Sequence, residues 1–165
     1  MINSAKGLKG GTNLIAIIDY GMGNLASVGN AFAKLGYATV ITRNSDEILQ
    51  ADKVVLPGVG AFADAIKNIR ELGIDKTLQE VVQRNTPLLG VCLGYQLLFS
   101  ESEEDGLHQG LDLIKGRVEK IQAADDYKVP HMGWNSIDIK PQSKLFSGIP
   151  SGSYYYFVHS YHVIP

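Results

Sequence analysis

"LLGVCLGYQLLF", residues 88–99, carries the only cysteine of the chain. An apolar run of strand length leads into it, glycines stand two residues away on either side, and an apolar, helix-like segment follows. Gly-Val-Cys-Leu-Gly has the spacing of a nucleophile elbow, with sulfur in place of the serine oxygen. The reason is steric. At a sharp strand-to-helix turn the nucleophile takes strained backbone angles, and its neighbours must be small so that strand and helix approach closely. The turn pushes the side chain out at the top of a sheet. A cysteine there lies near a helix N-terminus, where dipole and amides favour thiolate. A thiol that only fills core space, a common fate of free cysteine, needs no such flanking glycines.

Worked outward, the first hundred residues alternate strand and helix. "LIAII" (14–18), "ATVIT" (38–42) and "PLLGV" (87–91) read as strands, and "KVVLPGVG" (53–60) as a strand running into a Pro/Gly turn. Between them, Leu25, Val28, Phe32 and Leu35 recur at helical spacing, with Asn24 as the cap and Gly36 as the stop. Ser45 to Gln50 is a short helix capped by Ser45, and Phe62, Ile66, Ile69 and Leu72 mark a further helical face. Leu78, Val81 and Val82 mark another short helix, and one more begins at Leu93 and runs to Phe99, closed by acidic "ESEEDG" (101–106). The strands are apolar throughout, as in a parallel sheet covered by helices on both faces. Functional groups of such sheets gather at the carboxyl ends of the strands. "DYGMGN" (19–24), "PGVGAF" (57–62) and "GVCLGYQ" (90–96) all belong there.

After Gly110 the texture changes. "GRVEKI" (116–121), "NSIDI" (135–139) and "YYYFVHSYHVI" (154–164) read as strands without strong helices between them, expected to add antiparallel strands to the sheet. The fold class is therefore α/β, a mostly parallel central sheet with antiparallel C-terminal strands. "MINSAKGLKGGTN" (1–13) is polar and Gly-rich without an apolar core, and reads as a flexible extension rather than a secretory signal.

The bulk numbers narrow the function. The chain has 165 residues, a net charge of −2 and 45% hydrophobic residues, enough for one domain with a real core. No basic cluster suggests nucleic acid, and no apolar run reaches the roughly 18 residues of a membrane span. A single cysteine fits a reducing cytoplasm. No His/Cys cluster has metal-ligand spacing, so neither metal nor cofactor is expected.

"GVCLGYQLLF" resembles the nucleophile segment of class I glutamine amidotransferases. "DYGMGNL" (19–25), "LPGVGAF" (56–62), "VPHMGWN" (129–135) and "YYYFVHSY" (154–161) narrow the resemblance to the glutaminase subunits of imidazole glycerol phosphate synthases, across residues 14–165. The resemblance implies that Cys92 attacks the side-chain amide of glutamine, releasing ammonia and leaving a glutamyl thioester that water clears. It implies an oxyanion site at the amides of Gly58, Val59 and Gly60 with that of Leu93. Gln96 and Glu104 match glutamine-binding positions, and His159, Ser160 and Tyr161 the stretch that receives its α-carboxylate. Ammonia would pass to a (β/α)₈-barrel cyclase partner in a heterodimer of histidine biosynthesis. Asn24, Trp134 and Asn135 match interface positions.

One departure stands out. The family takes its catalytic base and orienter from a His-Pro-Glu segment beyond the "FVHSY" strand. The four histidines here, His108, His131, His159 and His162, are not followed by Pro-Glu. The expectation from sequence is a single amidotransferase domain lacking its C-terminal part, with its last strand left at an open edge and weak activity by itself. The alternative is a non-catalytic, partner-binding module of the same fold.

Overall fold

A computed structural model describes residues 13–123 and 128–165. The expected extension therefore lies outside the described residues, apart from Asn13. The chain divides into two compact units, one running to Val118 and taking in Val163–Pro165, the other Glu119–His162.

In the first unit the apolar runs become a four-stranded parallel sheet of order β2-β1-β3-β4, with β1 at Ile15–Ile18, β2 at Thr39–Thr42, β3 at Lys53–Leu56 and β4 at Leu88–Gly90. Ile15 pairs with Thr39 on one side and Lys53 on the other, and Val54 pairs with Leu88. The two central strands are the most apolar and the most buried: all of β1 and Val54 to Leu56 of β3 are sealed from solvent. Ile15 and Ile17 point to one face, where Leu25, Val28 and Phe32 of α1 (Leu25–Lys34) pack on them. Ala16 and Ile18 point to the other face and are fully buried. The helices α2 (Ser45–Gln50), α3 (Phe62–Glu71) and α4 (Ile74–Gln83) bury Ile48, Phe62, Ile66, Ile69, Ile74, Leu78 and Val81. Leu35 and Leu72, expected on the buried helical faces, fall after the last helical turns and are exposed.

Asn24 caps α1 as expected, accepting from the Ser27 amide at 3.2 Å. The cap of α2 is Asn44, not Ser45: Asn44 Oδ1 accepts from the Glu47 amide at 3.1 Å, and Ser45 turns its hydroxyl to Thr77 Oγ1 at 2.7 Å. Both residues are good caps, and the bond to Thr77, 32 residues away, decides between them.

The segment after Cys92 differs from its sequence reading. α5 is one turn, Leu93–Gln96, and Phe99–Ser102 is a strand, β5. The chain leaves the helix because its carbonyls are taken from afar: the Leu97 oxygen accepts from Leu111 N–H, and that of Leu98 from Leu113 and Ile114. Spacing cannot reveal such partners. β5 pairs antiparallel with β6 (His108–Gln109) and parallel with β7 (Ile114–Lys120), in a second sheet of order β10-β7-β5-β6. The last strand, β10 (Tyr161–Ile164), lies at that sheet's edge.

In the second unit, β8 is His131–Ser136 rather than 135–139. It pairs antiparallel with β9 (Tyr154–His159), from His131 opposite His159 to Ser136 opposite Tyr154. The tyrosine-rich run is thus two strands broken at Ser160. The late strands do not extend the parallel sheet: β8 and β9 form a sheet of their own.

Candidate active site

The elbow is built by contacts that only glycine permits. A Cβ at Gly94 would strike the Leu56 carbonyl oxygen, so α5 sits directly on the end of β3. One at Gly90 would lie 2.5 Å from the Tyr95 Cα, and one at Gly58 would meet the Gly94 amide and, at 2.8 Å, the Leu93 Cβ. The Val91 amide donates to the Leu56 oxygen at 3.0 Å, closing β4 onto β3 one residue before the cysteine. Cys92 follows at φ 55°, ψ −120° and is exposed. A positive φ at a residue with a Cβ costs about 1–3 kcal/mol and persists only where surroundings impose it. The Tyr95 and Gln96 amides both turn back to the Cys92 carbonyl, at 2.9 and 3.3 Å. The helix that follows is a single turn and carries little macrodipole, less than the sequence reading counts on.

The "PGVG" turn meets this elbow through Gly58, as just described, and continues through Gly60 at φ +92°. It is held at both ends. Tyr20, 1% exposed, donates its hydroxyl to the Pro57 carbonyl at 2.9 Å. Beyond the turn, the Phe62 amide donates to Glu104 Oε2 at 2.8 Å, the side-chain cap that Ala61 cannot give α3. The carboxylate of Glu104 therefore bonds the chain at the entry of α3. "DYGMGN" packs here too: a Cβ at Gly23 would touch the Pro57 ring at 3.5 Å, and one at Gly60 would press on Met22 Cε.

Burial raises the phenol of Tyr95, next to the elbow, and two further groups here are displaced from their usual ranges. Burial, reinforced by the charge of Cys92, pushes the Tyr20 phenol up to about 12, so it remains a protonated donor through the neutral range. A hydrogen bond from Arg43, at 2.5 Å, holds the Asp19 carboxyl below its usual range.

The first unit thus brings together Cys92, Leu93, Gly58, Val59 and Gly60, with Gln96 closing α5 and Glu104 beside α3. Asn24 is in the same unit as the α1 cap. Sequence reasoning missed Tyr20 and Met22. The signal was available, since both sit in "DYGMGN" at the carboxyl end of β1, which neighbours β3.

The second unit holds the other candidates. His159 ends β9, Ser160 is the break and Tyr161 opens β10. His159 Nδ1 lies 2.9 Å from the Tyr161 carbonyl and Nε2 lies 3.0 Å from His131 Nδ1, with the ring of Phe157 stacked on His131 at 4.8 Å. Asn135 Oδ1 is 2.9 Å from His131 Nε2. The opposite face of the hairpin presents Met132, Trp134, Tyr154, Tyr156 and Val158, all more than half exposed, with Trp134 at 67%. Trp134 meets Tyr156 edge to face at 5.6 Å. Of the tyrosine run 154–156, only Tyr155 is partly covered, against Phe146. His108 belongs to β6.

Among the described residues no group of three or more His, Cys, Asp or Glu is placed to hold a metal ion, and no helix is long and apolar enough to cross a membrane.

The family model for glutamine amidotransferase class-I matches residues 16–165. The imidazole glycerol phosphate synthase subunit HisH of Moorella thermoacetica is 54% identical over 151 residues, covering 92% of this chain and 71% of that protein. The same subunit of Syntrophotalea carbinolica is 50% identical, covering 92% and 76%. That of the archaeon Methanosarcina mazei is 51% identical, covering 90% and 72%. Among solved structures, a glutamine amidotransferase superposes with a TM-score of 0.66 at 17% identity over 87% of this chain and 70% of its own. One from Thermotoga maritima does so with 0.62 at 15% identity over 94% and 64%, a likeness of fold. By sequence match and fold together, the chain belongs to the class-I glutamine amidotransferases and, within them, to the HisH subunits of imidazole glycerol phosphate synthase.

Proposed function

We propose that residues 14–165 form one amidotransferase domain in which Cys92 is the nucleophile of a glutaminase serving histidine biosynthesis in the cytoplasm. The observation that carries this is the strained, exposed cysteine on a glycine-packed elbow, with the Gly58–Gly60 turn against its backbone. The thiolate adds to the side-chain amide carbon of glutamine, and the carbonyl electron pair moves onto oxygen. Amides of Gly58, Val59, Gly60 and Leu93 receive that charge. Collapse of the adduct breaks the C–N bond, the nitrogen takes up a proton and ammonia leaves. Water then adds to the thioester, returning the thiolate and glutamate.

Gln96, Glu104, His159, Ser160 and Tyr161 are assigned to the bound glutamine. Ammonia is handed to a barrel cyclase subunit, where it joins a ribonucleotide intermediate and yields imidazole glycerol phosphate and aminoimidazole carboxamide ribotide. The relatives' names support a second subunit. The exposed aromatic face at Trp134 supports a protein partner for it, since buried aromatic anchors dominate such interfaces. Asn24, Trp134 and Asn135 are the proposed contacts.

In the resembling family the departing nitrogen is protonated, and water activated, by a histidine of a His-Pro-Glu motif. None of the four histidines of residues 1–165 stands in one. Acid-quenched intact mass with glutamine tests the nucleophile: a glutamyl adduct at Cys92 is expected, accompanied by ammonia. Neither adduct nor ammonia would favour the non-catalytic binding module. Ammonia release that survives Cys92→Ser would name a different nucleophile.

A further inference from the structure

We propose that Tyr20 is a positioning residue for the oxyanion site: its hydroxyl pins the peptide between Pro57 and Gly58 and so fixes the fixed end from which the Val59 and Gly60 amides are aimed. The proposal rests on the assignment of Gly58–Gly60 as the oxyanion turn and adds to it the group that holds that turn in place.

A peptide unit is planar, so a bond to the Pro57 oxygen orients the Gly58 amide as well. Gly58 cannot be replaced by bulk, because its Cα already faces the Gly94 amide, the Leu93 side chain and, at 2.9 Å from an added Cβ, the Tyr20 oxygen itself. Val59, the one side chain between Gly58 and Gly60, is half exposed, and glycines at 58 and 60 leave the backbone loose by nature. Its rigidity has to come from outside. The Tyr20–Pro57 bond, 2.9 Å long and buried, supplies it at the entry, as Glu104 does at the exit through Phe62. Tyr20 is placed for this by β1, which ends two residues earlier beside β3. The phenol's resistance to ionisation keeps the bond intact through the range in which a thiolate reacts.

The test compares two reagents on Cys92 in the full chain. The thiolate adds to the carbonyl of a glutamine-like chloroketone, forming one carbon–sulfur bond and an oxyanion; sulfur then displaces chloride at the methylene carbon while the first carbon–sulfur bond breaks and the carbonyl is restored. Iodoacetamide is displaced directly at its methylene carbon, expelling iodide, and needs no oxyanion site. Tyr20→Phe keeps the ring and loses the bond. Its chloroketone rate is expected to fall about 10-fold, with the iodoacetamide rate unchanged. Equal falls with both reagents would mean that Tyr20 only supports the elbow, and an unchanged chloroketone rate would remove it from the site; either overturns the proposal. A second variant keeps the hydroxyl: 3,5-difluorotyrosine at position 20 alone ionises within the assay range. The ratio of the two rates should then drop at the alkaline end in that protein and not in wild type, and a ratio that stays level would contradict the proposal. A wild-type chain that shows no preference for the chloroketone at all would instead overturn the glutaminase reading beneath it.

Discussion

Around Cys92 the chain meets itself backbone to backbone: Gly58, Gly90 and Gly94 leave no space for a methyl group, and Leu93, Leu97 and Leu98 are buried beneath. The β8–β9 hairpin is the reverse, with one face of large side chains, Met132, Trp134, Tyr154, Tyr156 and Val158, turned to solvent. The first region has its geometry imposed from all sides, which a strained nucleophile requires. The second has apolar area to offer and little to lose by offering it, which recognition requires. The contrast separates residues whose change should damage structure and chemistry from those whose change should damage binding alone.

The sharpest way to break that contrast is at the sulfur. Cys92→Ala should abolish the glutamyl adduct and the ammonia released with it, with an unchanged melting temperature. Next is Gly94→Ala, where a methyl group meets the Leu56 carbonyl. Overpacking of this kind costs about 3 kcal/mol and should lower the melting temperature by about 10 °C, read by calorimetry. On the hairpin, Trp134→Ala should leave melting unchanged and weaken binding of the cyclase subunit by about 2 kcal/mol, some 30-fold in Kd by titration calorimetry. If Gly94→Ala proves harmless or Trp134→Ala unfolds the chain, the contrast fails.

Smaller effects sharpen it. Asn44→Ala should cost about 1 kcal/mol in urea unfolding and Ser45→Ala less, since Asn44 holds the cap. The order reverses if the serine does. The phenol of Tyr20 is raised from 10.0 to about 12 in the folded chain. A raised acid favours the fold while it is protonated, so its contribution is complete below pH 10 and is lost as pH climbs through about 12. Alkaline unfolding curves of wild type and Tyr20→Phe should differ by that component.

The parallel sheet was legible because its central strands are apolar without alternation, and α1 because Leu25, Val28 and Phe32 repeat at helical spacing before a Gly stop. The elbow was legible because its glycines are a steric requirement visible as spacing. What sequence did not reveal are choices made by distant partners. Leu97 and Leu98 look like a continuing helix until the amides of Leu111, Leu113 and Ile114 claim their carbonyls. Ser45 looks like a cap until Thr77 takes its hydroxyl. β8 begins at His131 because it registers against β9, and "HMGW" has little strand character by itself. For Tyr20 the location was legible, in a stretch at the carboxyl end of β1, but its bond was not: its partner Pro57 lies 37 residues on, and only the pairing of β1 with β3 joins them.

The central claim, that Cys92 is a nucleophile shaped for glutamine, is tested most directly by labelling the chain with a glutamine-like chloroketone in the presence and absence of glutamine, and mapping the adduct by peptide mass. The account predicts a single saturable adduct at Cys92, slowed in proportion to added glutamine. An adduct formed at the same rate whatever the glutamine concentration would mean an accessible thiol without a glutamine site, and would contradict it.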